Sequence, residues 1–292
     1  KESRDNYVEK DSIILAIKND DVDTFQSIVT TSGIDIQNKK IQIPIYDSFS
    51  GEISFINYAA ACGSIKCFKY LFLNNASIDF HTFACSIFGK NVEIIRIIDQ
   101  NKSDFNRSYY MNEYRQLSSM IRVFNAAIQM HEYKIFDWLF EQNNLDSEED
   151  LFKILNFSIK CGNAYSMLVI IQKIADLNKL QDVQLYELIK TTCNSRFYQI
   201  LKFLTHLINL HDLTDPTKGD HSDLTDVSNR RIKIKELNTE LLKSSVDSGM
   251  KSIFELILKE TGIKNSKCIF EALIEAAKTN NLCIIKYVLE NK

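Results

Sequence analysis

The sequence predicts an all-α chain of about eight stacked helical hairpins. Three observations predict it. A short frame of small, apolar and turn residues recurs along nearly the whole length. Within each copy, apolar residues fall three and four apart, the spacing of one helical face. The chain is also poor in the residues that punctuate sheets and irregular folds, with eight Gly and two Pro in 292 residues. Repeats of roughly 20–50 residues mark stacked supersecondary units, because one such unit cannot bury its apolar face alone.

The frame is clearest in Ala59-Ala60-Ala61-Cys62-Gly63-Ser64-Ile65-Lys66-Cys67-Phe68-Lys69-Tyr70-Leu71-Phe72. A small pair, Ala59-Ala60, sits on a first helix and lets neighbouring units approach closely. The turn residue, Gly63, stands where a left-handed or capping backbone is needed, so Gly, Asn, Asp or His suits it. The second helix carries Phe68, Leu71 and Phe72 at helical spacing.

The copies follow in order. Ala16-Ile17 leads to Asp20 and then Phe25 and Ile28. The Ala59 copy comes next, and after it a weaker one, Ser86-Ile87 followed by Ile94 to Ile98. Ala127-Ile128 leads to His131 and Ile135 to Leu139. Ser158-Ile159 leads to Gly162 and the apolar run Met167–Ile171. A second weak copy, Thr192-Cys193, precedes Ile200 to Leu204. Ser245-Val246 leads to Gly249 and Ile253 to Ile257, and Ala276-Ala277 to Asn280 and Ile284 to Val288. The repeats therefore lie near 11–36, 54–79, 81–104, 122–146, 152–177, 186–210, 240–263 and 270–292, in a single array over 1–292. The second helix of the final copy ends beside Lys292 with a core-type pattern, so either further repeats or an excised fragment is expected.

Ser54-Phe55-Ile56-Asn57-Tyr58-Ala59-Ala60, continued through Phe72 to Asn74-Asn75-Ala76-Ser77-Ile78-Asp79, resembles an ankyrin repeat. The opening Thr-Pro-Leu-His-x-Ala of that family falls on Ser54 to Ala59. Ser54 can cap a helix as Thr does. Phe55 departs from Pro, as does every other copy. Asn57, Asn125 and Asn156 fall where the family has His, and the resemblance implies a similar side-chain-to-backbone hydrogen bond. The resemblance covers roughly Asp11 to Asn291 and is nearest to the Ile-, Asn- and Lys-rich ankyrin proteins of parasitic protists. It implies an ankyrin-repeat solenoid with short β-hairpin fingers and a protein-binding role.

Three insertions break the register, at 36–53, 101–122 and 210–235. In the first, Ile41, Ile43 and Ile45 alternate strictly, Pro44, Asp47, Ser48 and Gly51 supply turn residues, and Ile53 follows. This reads as a β-hairpin. The second holds Arg107, Tyr109, Tyr110, Met111, Tyr114 and Arg115. Tyr and Arg dominate interface hot spots, but the reading favoured for these rings is packing on the adjacent repeat or lengthening its first helix. The third combines His211, His221 and several Asp with Pro216 and Gly219. Its irregular spacing reads as a solvated loop and not as a metal site.

Composition narrows the function. Hydrophobic residues make up 45% and charged ones 25%, as in ordinary folded domains, and the net charge of −3 supplies no basic footprint for nucleic acid. No apolar run reaches the ~18 residues of a membrane span. The seven Cys form no Cys-x-x-Cys pair and read as small buried hydrophobes in a reducing compartment. Four matches to the N-glycosylation pattern are read as accidental. An intracellular, cytoplasmic protein is expected.

Chemistry has no visible seat. There is no phosphate-binding Gly-rich loop, no His-Glu-x-x-His and no Gly-x-Ser-x-Gly. Cys85 with His81, four residues away, does not by itself define a thiol–imidazole site. The acidic run Asp146–Asp150 reads as an exposed cluster favouring a helix start. The expectation is a monomeric protein–protein interaction scaffold with no catalytic, cofactor or metal site. Its partner, another protein, would dock on the concave helix faces and on Gln42, Tyr46, Phe49, Arg107, Tyr109, Tyr110 and Tyr114. The alternative is a regulatory or targeting ankyrin segment of a larger enzyme or membrane protein.

Overall fold

Four residues after the first member of each small pair, the backbone turns left-handed in all eight copies of the frame. The φ angles are 53° at Asp20, 70° at Gly63, 54° at Lys90, 53° at His131, 66° at Gly162, 61° at Arg196, 72° at Gly249 and 54° at Asn280. Each turn joins two helices. The structure, a computed structural model, describes residues 12–43, 51–102, 105, 113–143, 145, 147–174, 182–208, 239–261 and 266–291.

The chain divides into two compact units, Lys1–Leu145 and Asp146–Lys292. The first holds α1 (12–18), α2 (Val22–Ser32), β1 (Lys40–Ile43), β2 (Gly51–Ser54), α3 (Phe55–Cys62), α4 (Ile65–Leu73), α5 (Phe80–Gly89), α6 (Val92–Gln100), α7 (Glu113–Gln129) and α8 (Tyr133–Gln142). The second holds α9 (Glu148–Lys160), α10 (Ala164–Lys173), α11 (Asp182–Asn194), α12 (Tyr198–Ile208), α13 (239–247), α14 (Lys251–Thr261), α15 (Ser266–Lys278) and α16 (Leu282–Glu290). The described residues are thus all-α apart from one two-stranded sheet.

The left-handed residue has a reason in hydrogen bonding. Its N–H donates to the carbonyl of the second member of the pair, as Gly63 does to Ala60 at 3.1 Å and Arg196 to Cys193 at 3.0 Å. In six of the copies the next N–H reaches the first member, as Ser64 does to Ala59 and Asn163 to Ser158, both at 2.9 Å, whereas Met250 N–H meets Ser248 Oγ at 3.1 Å. This is a Schellman closure, which satisfies carbonyls that a helix end otherwise leaves unpaired. In two copies the sequence reading assigned no turn residue. The structure places Lys90 and Arg196 there, at a steric cost of roughly 1–2 kcal/mol for an L-residue.

Where the pair contains a hydroxyl residue, burial demands a partner for it. Ser86 Oγ donates to the Phe83 carbonyl at 2.7 Å, Ser158 to Ile154 at 2.9 Å, Thr192 to Leu188 at 2.6 Å and Ser245 to Leu242 at 2.6 Å. Bonding back into its own helix lets Ser or Thr replace Ala beneath a neighbouring hairpin.

In the first unit, aromatic contacts bridge hairpins. Phe25 meets Phe55 and Tyr70 edge-on at 5.9 and 5.8 Å, and Phe83 meets Trp138 at 6.2 Å. In the second, Tyr186, Ile189, Cys193, Leu201, Leu242 and Phe254 belong to one buried cluster. The alternation read at 36–53 forms the antiparallel pair β1–β2, with Ile41 opposite Ile53 and both buried. The first turns of α7 come from the 101–122 stretch, ahead of the small pair Ala127-Ile128.

Candidate partner-binding surface

Consecutive hairpins are tied by polar bonds at fixed register. Two residues before the small pair, a side chain crosses to the next first helix. Asn57 Nδ2 lies 3.2 Å from His81 Nδ1, Asn156 Nδ2 donates to Glu187 at 3.0 Å, and Lys190 and Lys243 pair with Glu240 and Glu271 at 3.1 and 3.0 Å. Thr82 Oγ1 adds a 2.6 Å bond to Asn57 Oδ1 while Thr82 and Asp79 cap α5 reciprocally. The Asn57 side chain thus binds side chains of the next hairpin, where a bond to backbone was expected.

A second set runs along the turns. Ser64 Oγ donates to the Ile17 carbonyl at 2.5 Å, and Asn91 Nδ2 to the Gly63 carbonyl at 2.9 Å. Asp20 accepts from the backbone N–H groups of Lys66 and Cys67 at 2.9 and 3.0 Å, capping α4 from the preceding hairpin. These bonds occupy the polar frame residues structurally.

The residues expected to bind a partner fall into two groups. Tyr46, Phe49, Arg107, Tyr109 and Tyr110 lie outside the described residues. Gln42 lies on β1, in register with Glu52, and Tyr114 lies in the first turn of α7.

The structure adds a surface that the frame concealed. A cavity of about 710 Å³ opens between α12 and α14, lined by Tyr198, Lys202, Phe203 and His206 on one side and Glu255 and Lys259 on the other. Thr205, 3% exposed, lies on its floor. The frame reads Phe203 as core, but it is 37% exposed while Leu201 and Leu204 are buried. At 100° per residue Phe203 lies far around the helix from Leu201. The spacing of Tyr198, Lys202 and His206, four apart, was the legible signal of a second face. The surface offers aromatic area with both signs of charge, suited to a protein segment carrying mixed charges.

The groups with reactive potential are placed structurally. Cys85 is fully buried, and burial pushes its thiol up to about 12, so it is protonated near neutrality. His81 is tied to Asn57. Asp150, expected to be exposed, is 5% exposed in α9, with Lys153 Nζ 3.7 Å away, whereas Glu148 and Glu149 are exposed. No group of three or more metal-ligating side chains occurs among the described residues. None of the described helices is long and apolar enough to cross a membrane.

Compared with known proteins, the chain matches no family model, no curated protein and no solved structure.

Proposed function

We propose that the protein is a non-catalytic interaction scaffold of the ankyrin type, an array of eight hairpins that binds another protein. The observation that supports this reading is the left-handed turn at the same register in every hairpin, from Asp20 to Asn280. A chain that keeps one backbone geometry through such varied residues conserves a frame and leaves the surface between frame positions to be varied for recognition. The small pairs, turn residues and latching amides are absorbed by the frame, which leaves exposed aromatic and charged side chains for binding.

The partner docks on the α12/α14 groove and on the insertion residues Arg107, Tyr109 and Tyr110. Tyr and Arg are among the side chains that concentrate binding energy at interfaces. No cofactor or metal is required.

The test begins with affinity capture from the native cell and proceeds to titration calorimetry with the captured protein. Two double variants are compared with the parent, Tyr109→Ala/Tyr110→Ala and Lys202→Ala/Phe203→Ala. Each should weaken binding by roughly tenfold or more, about 1.4 kcal/mol, with the helical circular dichroism unchanged. Unaltered affinity in both variants would overturn the assignment of the surface.

A further inference from the structure

We propose that the α12/α14 groove takes an acidic segment of the partner protein, one that sets an apolar side chain against Phe203 and a carboxylate against Lys202. The inference rests on the reading of this groove as a docking surface and adds the chemistry of its occupant.

The groove lies inside the second unit, and both signs of charge line it. The two signs are not equally available. On the α14 wall, each carboxylate already has a cation. Glu255 Oε1 lies 3.2 Å from Lys251 Nζ, and that ammonium also sits over the Tyr287 ring, 5.0 Å from its centroid. Glu260 Oε1 lies 3.9 Å from Lys259 Nζ. On the α12 wall, Lys202 has no ion pair among the described residues. Both Lys202 and His206, one turn further on, are exposed.

One uncompensated ammonium therefore sets the sign of the groove. Phe203 follows Lys202 directly and is 37% exposed, and Leu256 supplies buried apolar ground on the facing helix. Lys202 and Phe203 stand about 100° apart around α12, so cation and ring are presented side by side. A partner segment with an acidic side chain next to an apolar one satisfies both. Its apolar part displaces water from Phe203, and the lower effective dielectric strengthens the attraction at Lys202. A basic segment would meet Lys202 and would have to compete with Lys251 for Glu255. A nucleic acid is a poorer match, because phosphate-backbone binding needs several cations and the chain carries a net charge of −3.

The same net charge sharpens the test. Long-range attraction to this chain favours a basic ligand, so a preference for an acidic one reports a local site. Titration calorimetry with the full chain compares two synthetic peptides that share a Leu and Phe face. One carries Glu at every flanking position and the other Lys. The Glu peptide should bind roughly tenfold or more tightly than the Lys peptide. Lys202→Glu should reverse that preference, and Phe203→Ala should weaken the Glu peptide, both with unchanged circular dichroism. Glu255→Gln should leave the Glu peptide bound. Failure of both peptides to bind, equal binding of the two, or a preference unmoved by Lys202→Glu would each overturn the proposal. So would displacement of the Glu peptide by poly(U) RNA, which would assign the groove to nucleic acid. The captured partner separates this failure from failure of the docking surface. If Lys202→Ala/Phe203→Ala weakens its binding while the peptides are not distinguished, the surface stands and the acidic occupant falls. If the captured partner ignores that variant, the surface itself falls.

Discussion

Asn91 joins two hairpins with one side chain. Its Nδ2 donates to the Gly63 carbonyl at 2.9 Å, and its Oδ1 accepts from the N–H groups of Glu93 and Ile94 at 3.0 and 3.3 Å. The amide is thus the cap of α6 and the latch to the preceding turn. Asn91→Ala removes both and should cost about 2 kcal/mol, from roughly 1 kcal/mol for each lost role. Asn91→Asp keeps the cap and loses the latch, so it should recover about half. Urea unfolding midpoints of the two variants check the division. Equal losses in both would assign the whole effect to the latch.

Gly89 and Gly63 meet at the same stacking contact. A Cβ on Gly89 would lie 2.1 Å from the Ala60 carbonyl oxygen and 2.6 Å from the Gly63 nitrogen. Both neighbours are backbone and cannot swing aside. Gly89→Ala should therefore destabilise by about 3 kcal/mol or more, the upper range for overpacking. Gly33→Ala is the control, with open space around the Cβ but a φ of 61°. It should cost only about 1 kcal/mol. Thermal melts of the pair separate crowding from backbone strain.

Arg196 holds a left-handed backbone with φ of 61° at the turn between α11 and α12. Arg196→Gly removes the steric penalty of roughly 1–2 kcal/mol and restores part of it as unfolded-state entropy, roughly 0.5–1 kcal/mol. The variant should gain about 0.5–1 kcal/mol, visible as a higher urea midpoint. A lower midpoint would mean that the Arg196 side chain contributes more than its backbone costs.

The cysteines should react in order of burial. Cys283 is exposed, whereas Cys85 and Cys193 are buried and their thiols are pushed up to about 12 by that burial. A thiol-specific reagent near pH 8 should label Cys283 first and reach Cys85 and Cys193 only on unfolding. The folded thiols hold protons that unfolded thiols release near pH 9, so this contribution is complete below pH 9 and is lost as pH rises toward 12. Stability measured against alkaline pH should fall across that window, and Cys193→Ala should make the fall shallower.

Much of the fold was legible because its signals are local. The pairing of a small pair with a turn residue four places later identified six of the hairpins, from Ala16 and Asp20 to Ala276 and Asn280, and the alternation of Ile41 and Ile43 identified a strand. The α12/α14 groove was not legible as a place. Tyr198, Lys202 and His206 show a shared face by their spacing, but only the packing of α12 against α14 brings Glu255 and Lys259 opposite them. Phe203 looked like core because periodicity ranks residues by polarity, and its exposure depends on which face the neighbouring hairpin covers.

By itself the sequence determined the all-α class and the turn residues Asp20, Gly63, His131, Gly162, Gly249 and Asn280, since helical periodicity and turn chemistry act over a few residues. Only the tertiary structure decided that Lys90 and Arg196 take a left-handed backbone, that Gly89 rather than a side chain must sit beneath Gly63, and that Asn57 and Asn91 bind the neighbouring hairpin. The last two arise from contacts between segments more than twenty residues apart. Their energies depend on which atoms the stacking brings within a few ångströms, a distance that no local pattern encodes.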